Sequence, residues 1–109
     1  MDQKTVENYI LSLPNTWSDY PFGKEVVVYK VGAQPDGSMF ALIANDKQPL
    51  RLSLRCDPEL AKVLRGKYEE IMPGYRLSPK QWNTLVLSGQ LTWSEVQDLI
   101  QHSYQLAIK

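Results

Sequence analysis

The chain has 109 residues, 43% of them hydrophobic, which is enough for one core and too little for two self-standing domains. Lys plus Arg and Asp plus Glu both number 12, so the formal net charge is zero and no global field draws the protein to a polyanion. Its one cysteine, Cys56, excludes an intramolecular disulfide and suits a reducing cytoplasm.

Met1-Asp2-Gln3-Lys4 opens a polar helical pattern, not the basic-then-apolar pattern of a leader. No apolar run approaches about eighteen residues, so neither secretion nor membrane spanning is expected. Val6, Tyr9, Ile10 and Leu13 fall at i, i+3, i+4 and i+7, the stripe of an amphipathic helix that Pro14-Asn15 ends. Glu25 to Val31 is rich in β-branched and aromatic residues, Gln34-Pro35-Asp36-Gly37 supplies a turn, and Ser38 to Ala44 is a second extended run, together an antiparallel hairpin.

After a turn over Asp46 to Pro49, Leu50, Leu52 and Leu54 alternate with Arg51, Ser53 and Arg55, which predicts a half-buried strand with leucines inward and arginines outward. Asp57-Pro58 reads as a cap followed by a first helical position, and Leu60, Ala61 and Leu64 form the buried side of a short helix ending near Gly66. Pro73-Gly74 begins a further extended segment, Ser78-Pro79 a single helical turn, and Trp82 to Leu87 a strand closed by Ser88-Gly89. Thr92 and Glu95 fit a capping box that opens the longest helix, with Val96, Leu99, Ile100 and Ala107 facing inward. The strands alternate polar and apolar residues, which favours an α+β fold: an antiparallel meandering sheet with N- and C-terminal helices on one face and a short middle helix, in one domain over residues 1–109.

Signatures of catalysis are absent. No serine elbow, phosphate-cradling glycine loop or paired metal-binding histidines occur, so no enzyme, metal or cofactor is expected. His102, the one histidine, lies about 200° around its helix from Ile100 and is expected to face solvent. Cys56 has a neighbouring arginine, Arg55, that would lower its pKa, but it lacks a catalytic partner and reads as a small, partly buried core residue. Trp17 and Trp93 flank helices and read as packing residues.

Charge is unevenly spread. Residues 51–80 hold seven bases against four acids, with Arg51, Arg55, Lys62, Arg65, Lys67, Arg76 and Lys80 supplying the excess. Arg51 and Arg55 project from one strand about 13 Å apart, at about 3.3 Å per residue, a span that suits alternate phosphates. The later strand alternates Trp82, Thr84 and Val86 against Asn83, Leu85 and Leu87, and the leucines have the better claim on the core, which leaves Trp82 on the helix-free face or at its rim. Tyr75, Arg76 and Lys80 flank that tryptophan. A turn held by local stacking and carbonyl hydrogen bonds is the competing account of Tyr75 and Arg76.

Three elements in order, Tyr20-Pro21-Phe22-Gly23, the run from Pro73-Gly74-Tyr75 through Leu77 to Trp82, and Ser103-Tyr104, resemble the MmcQ/YjbR family of small bacterial proteins over about residues 5 to 107. The resemblance implies a CyaY-like (frataxin-like) fold and weakly sequence-specific DNA binding, with a "double wing" of hairpins gripping the duplex. Frataxin-like proteins hold iron on a ridge of carboxylates along the first helix, but here that helix offers only Asp2 and Glu7, too sparse for such a site. On this reading Arg51, Arg55, Arg76 and Lys80 contact phosphates while Tyr75 or Trp82 stacks or wedges, in a cytoplasmic monomer. The rival reading is a protein–protein interaction module that anchors a partner on the exposed sheet face around Trp82. A small-molecule site has in its favour only a cleft between the last helix and the sheet.

Overall fold

A polar cap starts the first helix. Asp2 accepts a hydrogen bond from the Thr5 N–H (2.8 Å) and opens α1 (Gln3–Leu11), whose Val6 and Ile10 are fully buried. The computed structural model describes residues 1–45, 47–74 and 77–109. Asp46, the first residue of the expected turn before Pro49, lies outside them.

Asn15, at a left-handed φ of 61°, then reverses the chain into β1 (Thr16–Asp19), a strand that the periodicity does not predict. Four residues with one large apolar side chain give too short an alternation to read, and the strand sits at the sheet edge against β2. β2 (Val26–Val31), β3 (Ser38–Ala44) and β4 (Leu50–Arg55) follow as the expected antiparallel series.

α2 (Pro58–Lys67) is capped by Asp57, which accepts from the Glu59 and Leu60 N–H groups at 3.1 and 3.2 Å, with Pro58 in the first turn. β5 (Ile71–Pro73) ends at Pro73-Gly74 instead of starting there. β6 (Trp82–Leu87) enters between β4 and β5, so the sheet order is β1-β2-β3-β4-β6-β5 and the simple meander is broken at its end. A three-residue strand ending in proline is suited to an edge, where a missing N–H breaks no inner ladder.

α3 (Trp93–Ala107) closes the chain. Its capping box is formed as expected: Thr92 Oγ1 accepts from the Glu95 N–H at 3.1 Å, and a Glu95 carboxylate oxygen accepts from the Thr92 N–H at 2.9 Å. α1 and α3 lie on the same face. Val6, Ile10, Val96, Ile100 and Tyr104 join Tyr29, Phe40, Leu52 and Leu85 in the main core, and Tyr9 meets Trp93 edge to face.

Ser103 and Tyr104 fix that last helix to the rest. The buried Ser103 hydroxyl donates to the Phe40 carbonyl (2.5 Å) and accepts from the Arg55 N–H (2.9 Å), so one side chain bridges β3 and β4. Tyr104 packs edge to face on Phe40 and donates its hydroxyl proton to the Pro14 carbonyl at 2.7 Å.

Candidate functional site

The register decides which side chains share the helix-free face. Arg51 pairs with Val86, Ser53 with Thr84 and Arg55 with Trp82, and directly opposed residues of an antiparallel pair point the same way. Leu50, Leu52 and Leu54 face the helices, as their alternation predicts, opposite Leu87, Leu85 and Asn83. Ser53 and Thr84 share a hydroxyl hydrogen bond of 2.8 Å between the two arginines.

Arg51 is exposed and Arg55 half-buried. Among the described residues the one ion pair is Lys30 with Asp19 (3.3 Å), and it uses the carboxylate that β1 presents on this face. Neither arginine is matched by a described acid. Lys30 is further held over the Trp17 ring, 5.2 Å from its centroid, while the Trp17 indole N–H donates to the Gly32 carbonyl at 2.8 Å. Trp17 is thus a packing residue, as expected.

Trp82 lies on the predicted face but is not open to a ligand. Only 7% of it is exposed, in a small second core with Val28 and Leu42 that Val26, Met39 and Leu77 surround. Leu77 packs against it, and Gly74 and Ser78 bond to its strand. The Gly74 N–H donates to the Trp82 carbonyl (2.9 Å), and the Gln81 and Trp82 N–H groups both reach the Ser78 carbonyl. Neither base stacking nor a protein hot spot at this indole fits such burial. Alternation assigns a side chain to a face but says nothing of a loop that later covers it.

Lys80 is exposed in the turn before Trp82, at the end of the sheet where Arg55 emerges. Tyr75 and Arg76 lie outside the described residues. Arg65 does not extend the arginine row: its guanidinium donates to the Ala61 and Pro79 carbonyls at 3.2 and 3.0 Å, tying α2 to the turn before β6. Lys62 is exposed on α2, whose Leu64 packs on the helix-side core.

His102 is half-buried and does not simply face solvent. Its Nε2 accepts from the Asp57 N–H (3.1 Å), because the start of α2 lies alongside α3, and this bond requires the neutral ring with its proton on Nδ1. Cys56 is buried, as expected. Burial, helped by the Asp57 charge and opposed by Arg65 instead of Arg55, pushes its thiol up to about 11, so it stays protonated and unreactive near neutrality. Among the described residues no three His, Cys, Asp or Glu side chains gather as a metal site.

Two features escape sequence reasoning. Tyr20 and Phe22 are 52% and 64% exposed in the turn between β1 and β2, where Gly23 takes a φ of 98°. Proline and glycine beside two aromatics are the available signal, since a tight turn offers them no common face to bury. The other is Asn83, 2% exposed, whose amide oxygen and nitrogen both lack a hydrogen-bond partner. Its place among leucines in the strand pattern gives no sign of that.

A six-stranded antiparallel sheet with terminal helices on one face and a roofed tryptophan on the other defines a small α+β protein of the kind the sequence motifs suggest. The family model YjbR matches residues 11–106, and the chain belongs to the YjbR family. It is 28% identical to the uncharacterized protein YbdF of Escherichia coli O157:H7 over 105 residues, covering 96% of this chain and 83% of that one. It is 33% identical to the uncharacterized protein YjbR of E. coli K12 over 70 residues, covering 64% and 59% of the two chains. The crystal structure of the Deinococcus radiodurans protein DR2400 superposes with a TM-score of 0.93 at 36% identity, over 97% of this chain and 78% of that one. A Pseudomonas syringae protein superposes with a TM-score of 0.81 at 27% identity, over 98% and 99%.

Proposed function

We propose that the protein binds DNA weakly and with little sequence preference through the helix-free face of its sheet, as a binding protein without catalytic turnover in the reducing cytoplasm. The observation that supports this reading is the row Arg51 and Arg55, on one face, free of described carboxylate partners and extended toward Lys80. A guanidinium grips a phosphate with two parallel N–H donors, and the about 13 Å from Arg51 to Arg55, at about 3.3 Å per residue, suits alternate phosphates of one strand. Phosphate contacts of this kind position a duplex without reading bases. With zero net charge, affinity rests on the local patch alone.

Three phosphate contacts give a slope of about −2.7 for log K against log salt, at about −0.9 per phosphate. Fluorescence anisotropy with a labelled duplex at several salt concentrations measures it, and an Arg51→Ala/Arg55→Ala variant flattens it to about −0.9. A salt-independent response, or a double variant with unchanged slope, removes the proposal.

Exposure of Phe22 and Tyr20 favours a second reading, a protein-interaction module anchored on the β1–β2 turn instead of Trp82. A folded Phe22→Ala variant then loses a captured partner while its DNA titration is unchanged.

A further inference from the structure

Lys80 carries the basic patch past the end of β4, and it sits in a turn, where a backbone is ordinarily free to move. Here the peptide groups on both sides of it are held. The Pro79 carbonyl accepts from the Arg65 guanidinium at 3.0 Å, and the Gln81 carbonyl accepts from the Cys56 N–H at 2.8 Å. The Gln81 and Trp82 N–H groups close on the Ser78 carbonyl at 3.2 and 3.0 Å, so the turn is tied to α2, to the end of β4 and to itself.

Arg65 is suited to that hold by its chemistry. Half-buried on α2, it donates from Nε to the Ala61 carbonyl one turn back (3.2 Å), which fixes the plane of the guanidinium, and a terminal nitrogen then reaches Pro79. Both donors belong to one rigid fork, whereas a lysine presents all its donors at a single point and cannot span the two carbonyls in the same way. The second tie belongs to the sheet. Arg55 and Cys56 are neighbours, the Arg55 N–H is held by Ser103 and the Cys56 N–H by Gln81, so the backbone under Arg55 and the backbone under Lys80 form one frame.

We propose that Arg65 is a positioning residue for the phosphate patch: it contacts no phosphate itself but holds the turn so that Lys80 stands at the same end of the sheet as Arg55. This rests on the DNA-binding reading above and adds to it a residue on another element. Releasing the turn leaves the charge of Lys80 in place and adds disorder that DNA must remove on binding, a loss of about three- to tenfold for one long side chain.

Anisotropy titrations of a labelled duplex test this with the parent, Arg65→Lys, Lys80→Ala and the double variant, alongside backbone NMR relaxation of the free proteins. Arg65→Lys keeps the charge, and is expected to weaken binding about three- to tenfold in the parent but by less than about twofold once Lys80 is already alanine. In the same variant the backbone order parameter at Lys80 is expected to fall from about 0.85 toward about 0.6. The proposal is overturned if Arg65→Lys binds as the parent does, or if Lys80 is no more mobile in it. It is equally overturned if the substitution weakens binding alike in both backgrounds, which is what a general loss of structure or a direct Arg65–phosphate contact would give. Failure of the DNA-binding reading looks different: the parent itself then lacks salt-dependent binding, and the role of Arg65 falls with it, whereas a clamp that fails alone leaves the salt slope of the parent intact.

Discussion

Replacing Gly74 with alanine tests the roof over Trp82 more sharply than removing the indole would. A Cβ built at Gly74 comes within 2.7 Å of the Trp82 Cβ, 3.2 Å of its carbonyl oxygen and 3.3 Å of the Leu77 Cβ. Carbon atoms make their best contact at about 3.5–4.0 Å, and the nearest obstacle is anchored to the β6 backbone, so no rotamer change relieves it. The segment must lift from the sheet, at the cost of about 1–3 kcal/mol typical of overpacking. For a domain of this size that is a fall in Tm of roughly 4–12 °C. Urea and thermal unfolding followed by circular dichroism measure it. Gly66→Ala is the internal control: a Cβ there meets nothing within 4 Å, Gly66 lies inside α2, and alanine should raise stability by about 0.5–1 kcal/mol. Were Gly74→Ala to sit within about 0.5 kcal/mol of the parent, the close approach of this segment to the tryptophan would be wrong.

Ser103→Ala removes both bonds of a fully buried hydroxyl and strands the Arg55 N–H and Phe40 carbonyl, with an expected loss of about 1–3 kcal/mol in urea unfolding; a neutral result would refute the bridge. Glu95 has its carboxyl held below the ordinary 4.5, first by the Tyr68 hydroxyl and then by Thr92. A depressed carboxyl stabilises the fold above its unfolded value and loses that contribution as pH falls through the folded one, so Glu95→Gln should be less stable than the parent at pH 7 and converge with it below the ordinary 4.5, in acid unfolding curves. Cys56, with its thiol raised to about 11 and buried, should react with iodoacetamide at pH 8 far more slowly in the native protein than in urea, and equal rates would contradict its burial.

What the sequence disclosed was local. The cap at Asp57-Pro58, the Thr92–Glu95 box and the leucine–arginine alternation of β4 each depend on residues within a turn or a pleat, and each is present. The placement of Arg51 and Arg55 on the helix-free face follows from that same alternation. What escaped was non-local: the edge strand β1, the entry of β6 between β4 and β5, the roof over Trp82 and the bond from Asp57 to His102. Each depends on segments far apart in the chain, for which periodicity carries no signal. The family motifs divide the same way. Gly74, Trp82, Ser103 and Tyr104 hold the architecture together, and Tyr20 with Phe22 stands outside it.

The latch between the two ends of the chain has a bearing on how the protein is made. Tyr104 closes on Pro14 and Gln101 on the Tyr9 hydroxyl, spanning 90 and 92 residues. Such distant closures slow folding. Until α3 has left the ribosome, the emerged sheet lacks Val96, Ile100 and Tyr104 as cover, so its apolar side stays uncovered and the core closes in one step when that helix docks, instead of piece by piece.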